Sequence, residues 1–175
     1  LQINGIEQRR VFAVTSASPG DGKTSLTLAL GLSFAASGSR TLLIDGDGRR
    51  GALHRALRAS RRPGLTDTLA GQTPLEGVVQ ETGWPSLDFI GAGSRFRDSP
   101  ELLASEAMLG LMGRLRSKYQ VILVDSPPLG AGVDPYTLGA VTGNLVLVLR
   151  SGATNLEYAR TKLDALDYLP IRLLG

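Results

Sequence analysis

Eight consecutive residues constrain this chain more than anything else in it: Ala17-Ser18-Pro19-Gly20-Asp21-Gly22-Lys23-Thr24. They follow an apolar run at 11–14 and precede a leucine-rich segment. Glycines at 20 and 22 let the backbone curl until successive N–H groups point at one anion. A helix starting near Gly22 adds the positive end of its dipole. Lysine followed by a hydroxyl then supplies a cation for β- and γ-phosphates and an oxygen ligand for Mg²⁺. This is the P-loop pattern, with Ala17 in place of the first glycine. It predicts that Ser18, Pro19, Gly20, Asp21, Gly22, Lys23, Thr24 and Ser25 cradle ATP or ADP. Lys23 would bridge the phosphates and Thr24 would ligate Mg²⁺.

A P-loop needs a strand before it and a helix after it, and the rest of the chain supplies matching partners. Short apolar runs recur at 42–44, 87–90, 121–124 and 145–149. None alternates with polar residues, so each reads as a strand buried on both faces, as in parallel sheets. Helical patterns lie between them. Leu26, Leu28, Leu30, Leu32 and Phe34 crowd one segment, with Gly38 as its stop. Leu102, Leu109, Met112 and Leu115 share one face, introduced by Ser99-Pro100. Thr154-Asn155-Leu156-Glu157 has the capping-box pattern, continued by Leu163 and Leu166. Short helices are expected over 65–69 and 75–79, separated by Gly71 and preceded by the turn Arg62-Pro63-Gly64. Strands alternating with helices predict an α/β fold of P-loop NTPase type: a mostly parallel twisted sheet with helices on both faces. A length of 175 residues fits one domain over 1–175, and the start at Leu1 suggests a piece of a longer protein.

Three carboxylates complete the predicted chemistry. Asp125 ends the run at 121–124, where a strand tip opens on the ligand crevice of such sheets, and would hold Mg²⁺. Asp45 and Asp47 follow the run at 42–44 and form a second acidic tip. One would orient Mg²⁺ or its waters, and the other would accept a proton from an attacking hydroxyl. The predicted catalytic set is therefore Lys23, Asp45, Asp47 and Asp125, and the metal set is Thr24, Asp45 and Asp125. Lys23→Ala is expected to cost little stability without nucleotide. His54, the one histidine, suits packing better than catalysis. The net charge is +3, with arginine concentrated over 49–62. No aromatic residue interleaves with that cluster, which disfavours nucleic acid as a partner. With no cysteine, disulfides and thiolate metal sites are excluded. No run approaches the ~18 apolar residues of a membrane helix, and Leu1-Gln2-Ile3-Asn4 does not begin a signal peptide.

On these residues the chain resembles the bacterial tyrosine kinases of capsule and exopolysaccharide export, which are related to partitioning and septum-site ATPases. The resemblance is carried by 14–24, 42–50 and 121–128, with weaker matches at 53–54, 64–71, 99–106 and 145–152. It implies transfer of the ATP γ-phosphoryl group to tyrosines, usually on a neighbouring copy in a ring. It also implies work at the cytoplasmic face of the bacterial inner membrane, beside a membrane-embedded polysaccharide co-polymerase or activator segment. Asp45 and Asp47 would form the family's second acidic motif, and Asp125 its third. Partitioning ATPases carry lysine at the position of Ser18, so Ser18 favours the kinase branch.

Three features depart from the family pattern. Tyr119, Tyr136, Tyr158 and Tyr168 are scattered rather than clustered in a C-terminal tail. Glu7, Arg9 and Arg10 do not reproduce the upstream ring-contact helix. Gly51 stands where the family usually has proline. Two alternatives to the kinase stay open at this point. One is an ATPase switch cycling between dimer and monomer; the other is a non-catalytic nucleotide-binding assembly module.

Overall fold

In the computed structural model, residues 10–95 and 98–175 are described; Glu7 and Arg9 lie outside them. The strands are β1 (Arg10–Ser16), β2 (Thr41–Asp45), β3 (Val79–Glu81), β4 (Leu87–Ile90), β5 (Val121–Asp125), β6 (Asn144–Val148) and β7 (Arg172–Leu173). They form one sheet in the order β3-β4-β2-β5-β1-β6-β7. All neighbours are parallel except the β3–β4 pair. Every residue of β2 and β5 is buried, as expected of unalternated apolar runs.

The helices are α1 (Lys23–Ala36), α2 (Leu53–Ala56), α3 (Leu65–Leu69), α4 (Ser99–Leu103), α5 (Glu106–Lys118), α6 (Asp134–Thr142) and α7 (Leu156–Leu163). Two cores follow from the period-2 alternation of the strands. Leu42, Ile44, Ile122 and Val124 pack with α3, α4, α5 and α6, through residues such as Leu65, Leu103, Met112 and Leu138. Leu43, Val121, Leu123 and Phe89 pack on the other face, with Ala35 of α1 and Leu53 of α2. Burying one such side chain contributes about 1.5–3 kcal/mol, so the two faces fix the sheet from both sides. Gly38 ends α1 as expected. At φ 85 it donates to Ala35 O (2.9 Å), while Ser39 N donates to Phe34 O (3.1 Å), the paired bonds of a Schellman motif.

Register decides where the chemistry lies. Val14 of β1 and Asp45 of β2 both stand opposite Asp125 of the intervening β5. The P-loop leaves β1 at this end, so loop and carboxylates meet at the carboxyl edge of the sheet.

Several expected elements shift. The helix expected after Ser99-Pro100 is two helices, broken at Ala104-Ser105, where the Ser105 hydroxyl caps α5 by accepting from Met108 N at 3.4 Å. The buried face is therefore Met108, Leu111, Met112 and Leu115, and Leu109 is 58% exposed. Asn155, not Thr154, caps α7 by accepting from Tyr158 N at 2.9 Å, and Leu156 is exposed. The segment expected as a helix over 75–79 is a 3₁₀ turn, Leu75–Gly77, leading into β3. Among the described residues, no helix is long and apolar enough to cross a membrane.

Candidate active site

Gly20 and Gly22 adopt φ values of 89° and 100°, the left-handed region that glycine enters without steric cost. Gly22 is the N-cap of α1, so the loop passes directly into the helix N-terminus. The Asp21 carboxylate is nearly buried and braces the loop. Ser18 N donates to Oδ2 (2.9 Å), and the Thr154 hydroxyl donates to Oδ1 (2.9 Å). Thr154 in turn accepts from Arg150 N at 2.6 Å, tying the loop to the turn after β6. Asp21 thus reaches a phosphate through its backbone only, which keeps its negative charge turned away from the anion. The Ser16 hydroxyl donates to Ser18 O at 2.8 Å, a second brace. Pro19 and Gly20 are exposed at the loop tip, and Ser25 is exposed on α1.

Four predicted residues converge. Lys23 Nζ lies 3.8 Å from Asp47 Oδ2, 3.9 Å from Asp125 Oδ1 and 3.3 Å from Thr24 Oγ1. The Thr24 hydroxyl donates to Asp125 Oδ2 at 2.7 Å. Thr27, unmarked by the motif, places its hydroxyl 2.9 Å from Lys23 O and 3.4 Å from Asp125 Oδ1. Lys23 is therefore the counter-charge of two carboxylates rather than a side chain facing an empty site. The expectation that its removal costs little stability is revised accordingly. Burial pushes Asp125 up to about 6, against the pull of the Lys23 ammonium and the Thr24 hydrogen bond.

Asp45 and Asp47 divide their labour. Asp47 Oδ1 accepts from Arg50 N (2.7 Å) and Arg49 N (3.1 Å), leaving Oδ2 toward Lys23. It opens on a cleft of about 480 Å³ shared with Pro19, Gly20, Lys23, Arg49 and Arg50. Asp45 opens instead on a smaller cavity of about 230 Å³, walled by Leu65, Leu103 and Asp134. Its Oδ1 accepts from Asp47 N (3.2 Å), and among the described residues its buried Oδ2 has no hydrogen-bond partner. Burial first, then the Asp125 charge, pushes Asp45 up to about 7. Gly51 makes room for this carboxylate, because a Cβ there would collide with both of its oxygens. Asp134, missed in the sequence, also buries an oxygen with no partner among the described residues. His54 belongs to α2, outside both cavities.

These residues fit a magnesium nucleotide. Mg²⁺ keeps several waters and is held by one or two carboxylates plus phosphate oxygens. Thr24 Oγ1, Asp125 and the unpartnered Asp45 oxygen are a donor set of that kind, beside a loop turned for phosphate.

The profile of the AAA domain family matches residues 9–149. Tyrosine-protein kinase YwqD of Bacillus subtilis (strain 168) is 34% identical over 168 residues, which is 96% of this chain and 71% of that protein. The chain belongs to the bacterial tyrosine kinase family of P-loop proteins. The kinase domain of the Escherichia coli tyrosine kinase ETK has the same fold. It superposes with a TM-score of 0.91 at 30% identity, covering 97% of this chain and 66% of that one. EpsB of Ralstonia solanacearum is 38% identical over 165 residues, which is 94% of this chain but only 22% of EpsB. The chain thus spans about a fifth of the length of that relative.

Proposed function

We propose that this domain transfers the γ-phosphoryl group of ATP to tyrosine hydroxyls. The observation that carries the reading is the convergence of Thr24, Asp47 and Asp125 on Lys23, which lines one cleft with Asp47, and Asp45 stands beside Asp125 in the sheet register. Phosphoryl transfer asks little covalent chemistry of a protein; it needs positioning and charge neutralisation. The P-loop N–H groups and Lys23 would hold the phosphates. Thr24, Asp45 and Asp125 would hold Mg²⁺, which when bound neutralises charge on the phosphate oxygens.

The acceptor oxygen bonds to the γ-phosphorus as the bond to the bridging oxygen breaks, and ADP leaves. The phenolic proton goes to a carboxylate. Asp47 suits that role: its Oδ2 is turned toward Lys23 on the same cleft, while the free Asp45 oxygen is kept for the metal.

Within a longer protein, the reading places the domain at the cytoplasmic face of a bacterial inner membrane. There it would act in polysaccharide polymerisation and export, on neighbouring copies and beside a membrane-embedded co-polymerase or activator segment. The test is phosphotyrosine formation on a glutamate–tyrosine copolymer with ATP and Mg²⁺. Loss of label in Lys23→Met and Asp125→Asn is expected. Equal label in wild type and Lys23→Met would overturn the reading, and phosphate release without phosphotyrosine would mark a nucleotide switch instead.

A further inference from the structure

We propose that Tyr158 is a phosphoacceptor of this chain's own active site, modified within the same molecule; the inference rests on the kinase reading above. The chain has four tyrosines. Tyr119 is buried and donates to Asp88 Oδ2 at 2.7 Å. Tyr136 donates to Lys162 O at 3.3 Å. Tyr168 is 89% exposed at the 3₁₀ turn Asp164–Tyr168 and does not line the cleft. Tyr158 is 39% exposed and lines the same cleft as Lys23 and Asp47. Among the described residues its hydroxyl has no hydrogen-bond partner, so nothing must be broken to make it a nucleophile.

The local structure holds that hydroxyl at the cleft. Asn155 caps the first turn of α7 by accepting from Tyr158 N (2.9 Å). One residue earlier, Thr154 is bonded to Asp21 of the P-loop (2.9 Å). The segment carrying Tyr158 is therefore tied directly to the phosphate-binding loop. At its other end the phenol lies against the loop after β5, where Gly130 leaves space for it: a Cβ at 130 would collide with the Tyr158 hydroxyl. Proximity of this kind turns a bimolecular encounter into an intramolecular one.

In the step, the Tyr158 oxygen bonds to the γ-phosphorus and the bond to the bridging oxygen breaks. ADP leaves, and the phenolic proton passes to Asp47 on the same cleft. The product dianion meets cations already in place. Lys162 Nζ lies 5.3 Å from the Tyr158 ring centroid, and Arg49 and Arg50 line the cleft.

The experiment treats the chain with a tyrosine phosphatase, removes the phosphatase and adds ATP and Mg²⁺. Label is mapped by peptide mass spectrometry, with the glutamate–tyrosine copolymer as a parallel substrate. Wild type, Tyr158→Phe and Lys23→Met are compared over a wide dilution range. Phosphate is expected on the Tyr158 peptide of wild type, with a half-time unchanged by dilution. Lys23→Met should lose all label. Tyr158→Phe should lose most label on the chain while labelling the copolymer at the wild-type rate. Labelled copolymer with unmodified Tyr158 would overturn the inference, as would a half-time that lengthens in proportion to dilution. No label on chain or copolymer would instead overturn the kinase reading beneath it.

Discussion

Replacing Asp45 by asparagine removes a charge the fold holds at a loss. Asp45 is fully buried, and among the described residues one of its oxygens has no hydrogen-bond partner. Its carboxyl is raised from 3.8 to about 7, first by burial and then by the neighbouring Asp125 charge. In a folded protein with a raised carboxyl, the unfolded chain loses its proton first. The penalty is absent below about pH 4, grows between about 4 and 7, and is complete above that. Three units at 1.36 kcal/mol each set a ceiling of about 4 kcal/mol. Local relaxation and water entry lower this to about 3 kcal/mol, or roughly 6–12 °C in melting temperature for a domain of this size. Asparagine is nearly isosteric, and its Oδ1 still accepts from Asp47 N. In nucleotide-free protein with chelator present, Asp45→Asn should therefore melt well above wild type at pH 8.5. The difference should shrink by more than half at pH 5 and close below about pH 4. Phosphoryl transfer should meanwhile fall, so activity and stability move in opposite directions. Equal shifts at both pH values would refute the argument, as would a variant less stable than wild type at pH 8.5.

Other substitutions test the remaining contacts. Lys23→Met leaves Asp47 and Asp125 without their counter-charge, so the nucleotide-free protein should lose about 1–3 kcal/mol at pH 8 and less near pH 5, by denaturant titration. Gly51→Ala drives a methyl group into the Asp45 carboxylate and should cost about 1–3 kcal/mol, read from the same titrations. Thr154→Val releases Asp21 from the turn after β6. It should weaken ATP binding by roughly 1 kcal/mol in calorimetry, about fivefold, with Thr154→Ser restoring it.

The P-loop was legible because its requirements are local: two left-handed glycines, a lysine and a hydroxyl must be contiguous to curl around one anion. Asp45 and Asp125 were legible because an unalternated apolar run ending in aspartate puts that carboxylate at a strand tip. What escaped depends on distance along the chain. The Asp21–Thr154 hydrogen bond spans 133 residues, and no spacing rule joins those positions. The pattern at 154–157 fitted a capping box, yet the Thr154 hydroxyl is engaged by the P-loop carboxylate and by Arg150 N. The cap therefore passes to Asn155. In α5, a leucine spacing that looked regular ran across the break at Ser105, so Met108 rather than Leu109 faces the core. The contact between Gly51 and the Asp45 carboxylate likewise joins positions that no local pattern links.

The charge balance of the site leads to one further measurable consequence. Asp45, Asp47 and Asp125 crowd a region in which Lys23 is the cation that reaches two of them directly. Without a divalent ion, the excess negative charge is relieved by protons held on Asp45, at about 7, and on Asp125, at about 6. A metal needs its carboxylate ligands deprotonated, so binding must expel whatever protons they hold. From those two values the expected release is more than one proton per site at pH 6, less at pH 7 and close to none at pH 8.5. Titration calorimetry reads this directly, since the observed heat of binding magnesium-saturated nucleotide then varies with the ionisation enthalpy of the buffer. The slope should be steep at pH 6, shallower at pH 7 and flat at pH 8.5, and Asp45→Asn should remove most of the pH 7 slope. A slope that stays flat at pH 6 would mean these carboxylates are already charged in the empty site. The stability gain predicted for Asp45→Asn would then lose its basis as well.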